Sequence, residues 1–179
     1  MDVVVEARYE GANPMYDGWA DIEAVELAGM HKIWMADDEE YVYLATKYKY
    51  DDIDRWEILL DVDFKMKTGM QAIWPFSPGG ADFLVSGDMK NDAEAPTLGY
   101  QEVSDGNWTF GREIKDAVTA VVDKENKTLE VKILKSALST EERSLAALLN
   151  YGLRFIVESG DAVASSNGGV FFGYKIMNK

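Results

Sequence analysis

The sequence predicts an all-β protein, an antiparallel β-sandwich with jelly-roll or immunoglobulin-like layers and one short helix near residues 139–150. About ten short segments rich in β-branched and aromatic residues follow one another at close spacing, as the strands of a sandwich do. Turn signals containing Gly, Asn or Asp separate many of these segments. Strands do not alternate with long helices, so the strands are expected to form two antiparallel layers.

The first third of the chain is expected to hold a strand at 3–9, a loop with Asn-Pro and Asp-Gly turn signals at 11–18, and a hairpin. Between the loop and the hairpin, residues 21–27 alternate apolar and acidic side chains, which fits either a short strand or a single turn. The hairpin pairs 32–36 with 41–48. The acidic residues that join these two segments are expected to face water.

The middle of the chain concentrates the groups that could bind a ligand. A strand at 56–60 ends in Asp61 and Asp63, and a further strand is expected at 81–86. Between them lie a Thr-Gly turn, the aromatic segment 73–76 and a Pro-Gly-Gly corner. This stretch is therefore the first place where a binding site is expected.

The second half of the chain predicts two hairpins, the helix and two closing strands. The later strands are expected at 98–103 paired with 108–113, at 117–122 paired with 128–134, at 153–157, and at 170–177. The helix is predicted over 139–150 because Ser139 and Glu142 have the spacing of a capping box. Gly152 follows its expected end.

Charge and composition exclude several classes of partner. The chain carries 18 basic and 32 acidic residues, a formal net charge of −14. Such a surface repels polyanions, so neither nucleic acid nor an anionic membrane surface is an expected partner. No apolar run is long enough to insert into a membrane. The 179 residues are expected to form a single domain, 1–179, with a core that needs no disulfides.

The sequence does not predict an enzyme. There is no cysteine, and His31, the only histidine, lies outside any nucleophile motif. One histidine without cysteine also gives a poor zinc site. With 32 acidic residues, a pair of carboxylates at glycosidase spacing would arise by chance, so it indicates nothing by itself.

Three aspartates are candidate calcium ligands. Asp61 and Asp63 are two residues apart at a strand end, so their side chains share one face or converge in the following loop. Asp82, after the Pro-Gly-Gly corner, could reach them from the neighbouring strand end. The spacing is not that of an EF-hand loop. A solvated acidic strand end is the alternative.

Three aromatic residues are candidate sugar-binding groups, since aromatic rings stack on pyranose faces. Trp74 and Phe76 lie beside a Pro/Gly corner, and Trp108 follows an Asp-Gly turn. The alternative for each is a place in the core, which is the expected place of Trp19, Trp34 and Trp56.

The order of these motifs resembles that of DOMON-like sandwiches, which include the family-nine carbohydrate-binding modules and the C-terminal modules of some glucodextranases and amylopullulanases. The matching segments are an Asp-Gly opening at 16–21, an Asp-x-x-Tyr-Leu-Tyr-Val-like strand at 38–45, a Val-Glu-Ile-x-Ile-Asp-x-Asp-like run at 56–63 followed by Thr68-Gly69, a Gly-Ala-Asp-Tyr-like run at 80–83, and an x-Glu-x-x-Ile-Pro-x-x-Ala-Leu-like run at 129–138. The resemblance implies the sandwich fold and a possible bound calcium.

The chain departs from these modules at the sugar site. Family-nine modules clamp a sugar between two tryptophans, one just before the Val-Glu-Ile strand and one near the C-terminus. Here residues 51–55 and 165–169 contain no tryptophan. The resemblance therefore implies the fold and a possible calcium, but not the sugar clamp. Together with the candidate aromatic residues, it leads us to expect a non-catalytic module that binds a poly- or oligosaccharide, outside the cell or at its surface, with possible linkage to a catalytic domain.

Two alternatives to sugar binding remain. A purely structural or protein-interaction module would need no clamp. A haem-b-binding electron-transfer module is the other, because some relatives of this group bind haem through Met, His or Lys. The start of the sequence shows no signal peptide, so the chain is expected to be cytoplasmic or a mature segment of a longer product.

Overall fold

A computed structural model describes most of the chain. The described residues are 15–18, 25–27, 31–65, 67–70, 80–91, 94–100, 112–141, 143–158, 160–165 and 172–177. The expected first strand at 3–9 and the candidate sugar-binding residues Trp74, Phe76 and Trp108 lie outside them.

Twelve strands form the described part of the fold. They are β1 (Val25–Leu27), β2 (His31–Asp37), β3 (Tyr41–Lys47), β4 (Arg55–Asp61), β5 (Phe83–Asp88), β6 (Thr97–Tyr100), β7 (Arg112–Ile114), β8 (Val118–Asp123), β9 (Thr128–Leu134), β10 (Leu148–Ile156), β11 (Ala162–Ser165) and β12 (Phe172–Lys175). A single 3₁₀ turn, Lys135–Leu138, follows β9. Among the described residues, no helix is long and apolar enough to cross a bilayer.

The strands form two antiparallel sheets. The smaller sheet has the order β1-β2-β3-β9-β8. The larger sheet has the order β11-β10-β4-β5-β6-β7, and β12 also pairs with β10. The predicted hairpins appear as the pairs β2–β3 and β8–β9, and β6 pairs with β7 across a connection that is not described. The predicted antiparallel β-sandwich is confirmed.

The core lies between the two sheets because alternate side chains of the central strands point inward. On β4, Trp56, Ile58 and Leu60 are fully buried, and Val131 and Ile133 of β9 join the same cluster. The opposite face of β4 is also covered: Leu59 is buried beneath the loop that leads from β4 to β5. That loop carries two of the three candidate calcium ligands.

The predicted helix over 139–150 is wrong. The described residues before Leu148 form irregular turns, and Leu148 already belongs to β10. The hydroxyl of Ser139 accepts a hydrogen bond from the Leu145 amide at 3.1 Å, so it stabilises a turn rather than a helix start. β10 pairs with β4 and β12 in the interior of the larger sheet, and this long-range pairing outweighs local helix propensity.

Candidate carboxylate site and neighbouring clefts

The antiparallel pairing of β4 and β5 brings the three candidate calcium ligands together. Asp61 is the last residue of β4, and Asp82 immediately precedes β5. The Asp82 amide donates to the carbonyl of Leu60 at 2.7 Å, which fixes the two strand ends side by side. One carboxylate oxygen from each of Asp61, Asp63 and Asp82 lies within 4.8 Å of the other two. These residues therefore meet at one point.

The turn after β4 positions Asp63. Its Oδ1 accepts hydrogen bonds from the Lys65 amide at 3.0 Å and from the Thr68 hydroxyl at 2.9 Å. The same hydroxyl also approaches the Lys65 carbonyl at 2.8 Å. Phe64, between Asp63 and Lys65, has a positive φ of 57°. A compact turn thus holds the Asp63 carboxylate beside the strand end.

Gly69 explains why a Thr-Gly pair follows the aspartates. Its φ is +66°, and a β-carbon there would lie 2.3 Å from the carbonyl oxygen of Ala81 and 2.8 Å from Oδ1 of Asp82. A side chain at this position would collide with the backbone beside the cluster. The absence of a side chain therefore lets the loop return close enough for Met70 to bridge to Ala81.

Two of the three carboxylates are buried, and each has a specific partner. Asp61 accepts a hydrogen bond from Nδ2 of Asn150 at 2.9 Å, across the β4–β10 pair. Asp82 accepts one from the amide of Val62 at 2.9 Å. Nε of Arg143 lies 3.0 Å from the other Asp82 oxygen. Both aspartates have no exposed surface, so their charges are held almost without water.

Burial raises the pKa of both carboxyls. For Asp61 the desolvation outweighs the lowering effect of the Asn150 hydrogen bond. For Asp82 desolvation raises the pKa to about 7, although the Val62 amide and Arg143 act in the opposite direction. A bound cation would reverse this penalty, because it favours the charged form of each group.

The donor set fits a hard cation. All three groups offer carboxylate oxygens, the ligands that calcium prefers, and no histidine or cysteine joins them among the described residues. Calcium takes about six to eight oxygens, so backbone carbonyls or water would complete its shell. The residues present therefore suit calcium better than zinc.

Asn150 and Arg143 are site residues that sequence reasoning missed. Both lie in the segment assigned to the predicted helix, which hid the pairing of Asn150 with Asp61. Alternation of apolar residues after Leu148 is the signal that could have extended the strand expected at 153–157 back to the start of β10, since Leu149, Tyr151 and Leu153 are all buried. No local signal in the sequence indicates the contact of Arg143 with Asp82.

The described tryptophans are in the interior, as expected. Trp34 and Trp56 are 2% and 1% exposed. A cleft of about 340 Å³ reaches the indole of Trp56 beside Gly87. The ring is too deeply buried to offer a sugar a stacking face. Trp19 lies outside the described residues.

A second cleft of about 340 Å³ lies in front of β4, at the opposite end of that strand from the carboxylates. The half-buried ring of Tyr50 lines it together with Asp51 and Lys127, which form an ion pair of 2.7 Å. Lys90, another lining residue, pairs with Asp54. The cleft therefore combines an aromatic ring with charged hydrogen-bonding groups.

No family model matches the sequence, and no curated protein matches it significantly. The solved structures similar to the chain include two of a family 9 carbohydrate binding module from Caldicellulosiruptor kristjanssonii. The complex with cellotriose has a TM-score of 0.53 and 13% identity, covering 93% of this chain and 88% of that one. The complex with glucose has a TM-score of 0.52 and 12% identity, covering 96% and 94%. The fold is therefore a β-sandwich like that of family-nine modules, as the resemblance predicted.

Proposed function

We propose that the chain is a non-catalytic carbohydrate-binding module that works outside the cell or at its surface, as part of a polysaccharide-active protein with a catalytic domain. The observation that carries the proposal is the fold likeness over 93% of this chain to a module solved with cellotriose. Because one fold can host many functions, the proposal also needs groups on this chain that can bind a sugar.

Aromatic side chains are the first such groups. The proposed stacking residue is Trp74, assisted by Phe76 or Trp108, because each stands next to a turn signal in the sequence. Trp74 and Phe76 belong to the segment between Asp63 and Asp82. A cation held by these aspartates would therefore fix both ends of the segment that carries the proposed stacking face.

The cleft in front of β4 is the second proposed contact. Tyr50 lines this cleft just before the segment 51–55, which contains no tryptophan. Its ring can contact a sugar face, and the Asp51–Lys127 pair can bond to hydroxyls. A single tyrosine offers less area than two tryptophans, so weak binding is expected.

The proposed ligands of a structural calcium ion are Asp61, Asp63 and Asp82. The ion would supply charge neutralisation for carboxylates that the fold has already buried. Asn150 and the Val62 amide would hold the two buried aspartates in place, as they do in the structure. The ion serves loop rigidity in this proposal and takes no part in a reaction.

Affinity gel electrophoresis against soluble glucans, xylans and mannans tests sugar binding. At least one neutral polysaccharide should retard the chain, and Trp74→Ala or Tyr50→Ala should reduce the retardation without lowering the melting temperature. Tyr41→Ala is the matched control, because Tyr41 lies on the smaller sheet beneath Lys132. Unretarded migration across the whole panel would sink the proposal.

A structural or interaction module is the second candidate, favoured by the missing clamp tryptophans in 51–55 and 165–169. The same variants separate the two functions. In a structural module Trp74 would be a packing residue, so Trp74→Ala would lower the melting temperature and leave the gel migration in every polysaccharide unchanged.

A further inference from the structure

A buried arginine already accompanies the carboxylate cluster. Nε of Arg143 lies 3.0 Å from Oδ1 of Asp82, and the two side chains are 1% and 0% exposed. Lys65, which lies 3.7 Å from Asp63, is 68% exposed and keeps its charge in water. Arg143 is therefore the buried cation that faces the cluster among the described residues.

The loop that carries Arg143 is attached to the cluster at its backbone. The Ala146 amide donates to the carbonyl of Val62, the residue between Asp61 and Asp63, at 2.7 Å. Thr140 closes the turn from the other side: its hydroxyl accepts from the Arg143 amide at 3.2 Å, and its amide donates to the Arg143 carbonyl at 2.7 Å. The guanidinium thus arrives at Asp82 on a loop fixed at both sides.

The positive charge of Arg143 affects how strongly the three aspartates can bind a metal ion. A buried carboxylate without a partner is costly, and Arg143 reduces that cost for Asp82. A divalent cation at the three aspartates would need the same Asp82 carboxylate. It would also meet the positive charge of Arg143 at short range in a poorly screened environment. Arg143 and a bound cation would therefore compete for the Asp82 carboxylate and repel each other.

We propose that Arg143 is the resident cation of the Asp61–Asp63–Asp82 cluster, which keeps the loops folded without metal and lowers the affinity of the site for calcium. This inference rests on the calcium site of the proposed function. It adds that Arg143 determines how much the stability of these loops depends on bound calcium. The unmodified chain should accordingly keep nearly the same melting temperature in EDTA and in millimolar calcium.

Replacing Arg143 by methionine tests the proposal. Arg143→Met should bind calcium at least about tenfold more tightly than the unmodified chain in isothermal titration calorimetry, since one repelling charge is gone. Its melting temperature should fall in EDTA and recover in millimolar calcium, because the ion then supplies the missing charge. Arg143→Lys, which keeps the charge, should show neither the tighter binding nor the calcium-dependent recovery.

Arg154→Met is the matched control. Arg154 is also a largely buried arginine of an ion pair, with Glu57 on the same sheet, but away from the cluster. This variant should lose stability in EDTA and should not regain it with calcium. If calcium restored the melting temperature of both Arg143→Met and Arg154→Met, the proposal would be overturned, because calcium would then stabilise the protein in general.

The remaining outcomes separate this inference from the calcium site itself. If the unmodified chain binds calcium and Asp61→Asn abolishes the binding, but Arg143→Met gains no affinity or stays unfolded in calcium, only the role of Arg143 is overturned. If neither the unmodified chain nor Arg143→Met binds calcium, the calcium site and this inference both fail. Sugar retardation in the gel is measured separately and decides the sugar-binding proposal by itself.

Discussion

At the scale of single residues, Gly69 is the position where a methyl group should do most harm to the site. A β-carbon there would lie 2.3 Å from the Ala81 carbonyl oxygen, and the φ of +66° is itself unfavourable for alanine. Gly69→Ala should therefore lower the free energy of unfolding by about 2–4 kcal/mol, measured by urea denaturation. It should also weaken calcium binding, because the loop must move away from Asp82.

Gly160→Ala is the control that separates the cost of the positive φ from the cost of the steric collision at Gly69. Gly160 has a similar φ of +83°, but nothing lies within 4 Å of a β-carbon built there. Gly160→Ala should therefore lower the free energy of unfolding by only about 1 kcal/mol, the cost of the positive φ, and leave calcium binding unchanged. Equal losses in the two variants would mean that the contact with Ala81 does not matter.

Asp82 should make calcium binding depend on pH. Burial raises its pKa to about 7 from an ordinary value of 3.8. A raised carboxyl pKa stabilises the metal-free fold most below the ordinary value, and this contribution is lost as pH rises through 7. Calcium needs the deprotonated form, so its affinity should be about tenfold or more weaker near pH 5 than near pH 8. Calorimetric titrations that give one affinity at both values would contradict this.

At the scale of secondary-structure elements, the buried Asp37 connects the smaller sheet to the C-terminal strand β12. Asp37, at the end of β2, accepts hydrogen bonds from the Tyr174 hydroxyl at 2.8 Å and the Met177 amide at 2.9 Å. Nζ of Lys135 lies 2.7 Å from its other oxygen, and the Asp37 side chain has no exposed surface. Residues far apart in the chain thus close one end of the sandwich.

Lys135→Met should consequently lower the free energy of unfolding by about 2–4 kcal/mol, because it leaves the Asp37 charge buried without its cation. Lys127→Met is the control, since Lys127 pairs with an Asp51 side chain that is 78% exposed. Its loss should stay below about 1 kcal/mol. Guanidinium denaturation curves of both variants measure the difference, and equal losses would argue against a stabilising role of the buried pair.

Elements joined by short turns could be predicted from the sequence, whereas those defined by distant partners could not. The β8–β9 hairpin follows from its polar turn, where Asp123 accepts a hydrogen bond from the Asn126 amide at 2.9 Å. Asp61, Asp63 and Asp82 come together because the end of β4 lies beside the start of β5, the next strand in the sequence. Only the second half of β10 was expected, at 153–157; its first half, with Asn150, was assigned to the helix because its partner β4 is distant in the sequence. Arg143, in the loop before β10, was missed for the same reason.

At the scale of the whole molecule, the net charge of −14 limits which polysaccharides the chain can bind. Three lysines and two aspartates line the cleft in front of β4. Lys127 pairs with Asp51, and Lys90 pairs with Asp54 just outside the cleft. These pairs keep the cleft from becoming a basic patch. The lysine and aspartate charges at the cleft are thus nearly balanced, so they do not outweigh the repulsion of a polyanion by the rest of the surface.

The chain should accordingly bind neutral polysaccharides in preference to acidic ones. In affinity gels a neutral glucan that retards the chain should do so equally at low and high salt, because stacking and hydroxyl contacts are little screened. Polygalacturonate should give no retardation at low salt, since a polyanion meets a surface of the same sign. Polygalacturonate retardation at low salt that disappears as salt is added would contradict this, since it would show that the cleft lysines attract acidic sugars despite their aspartate partners.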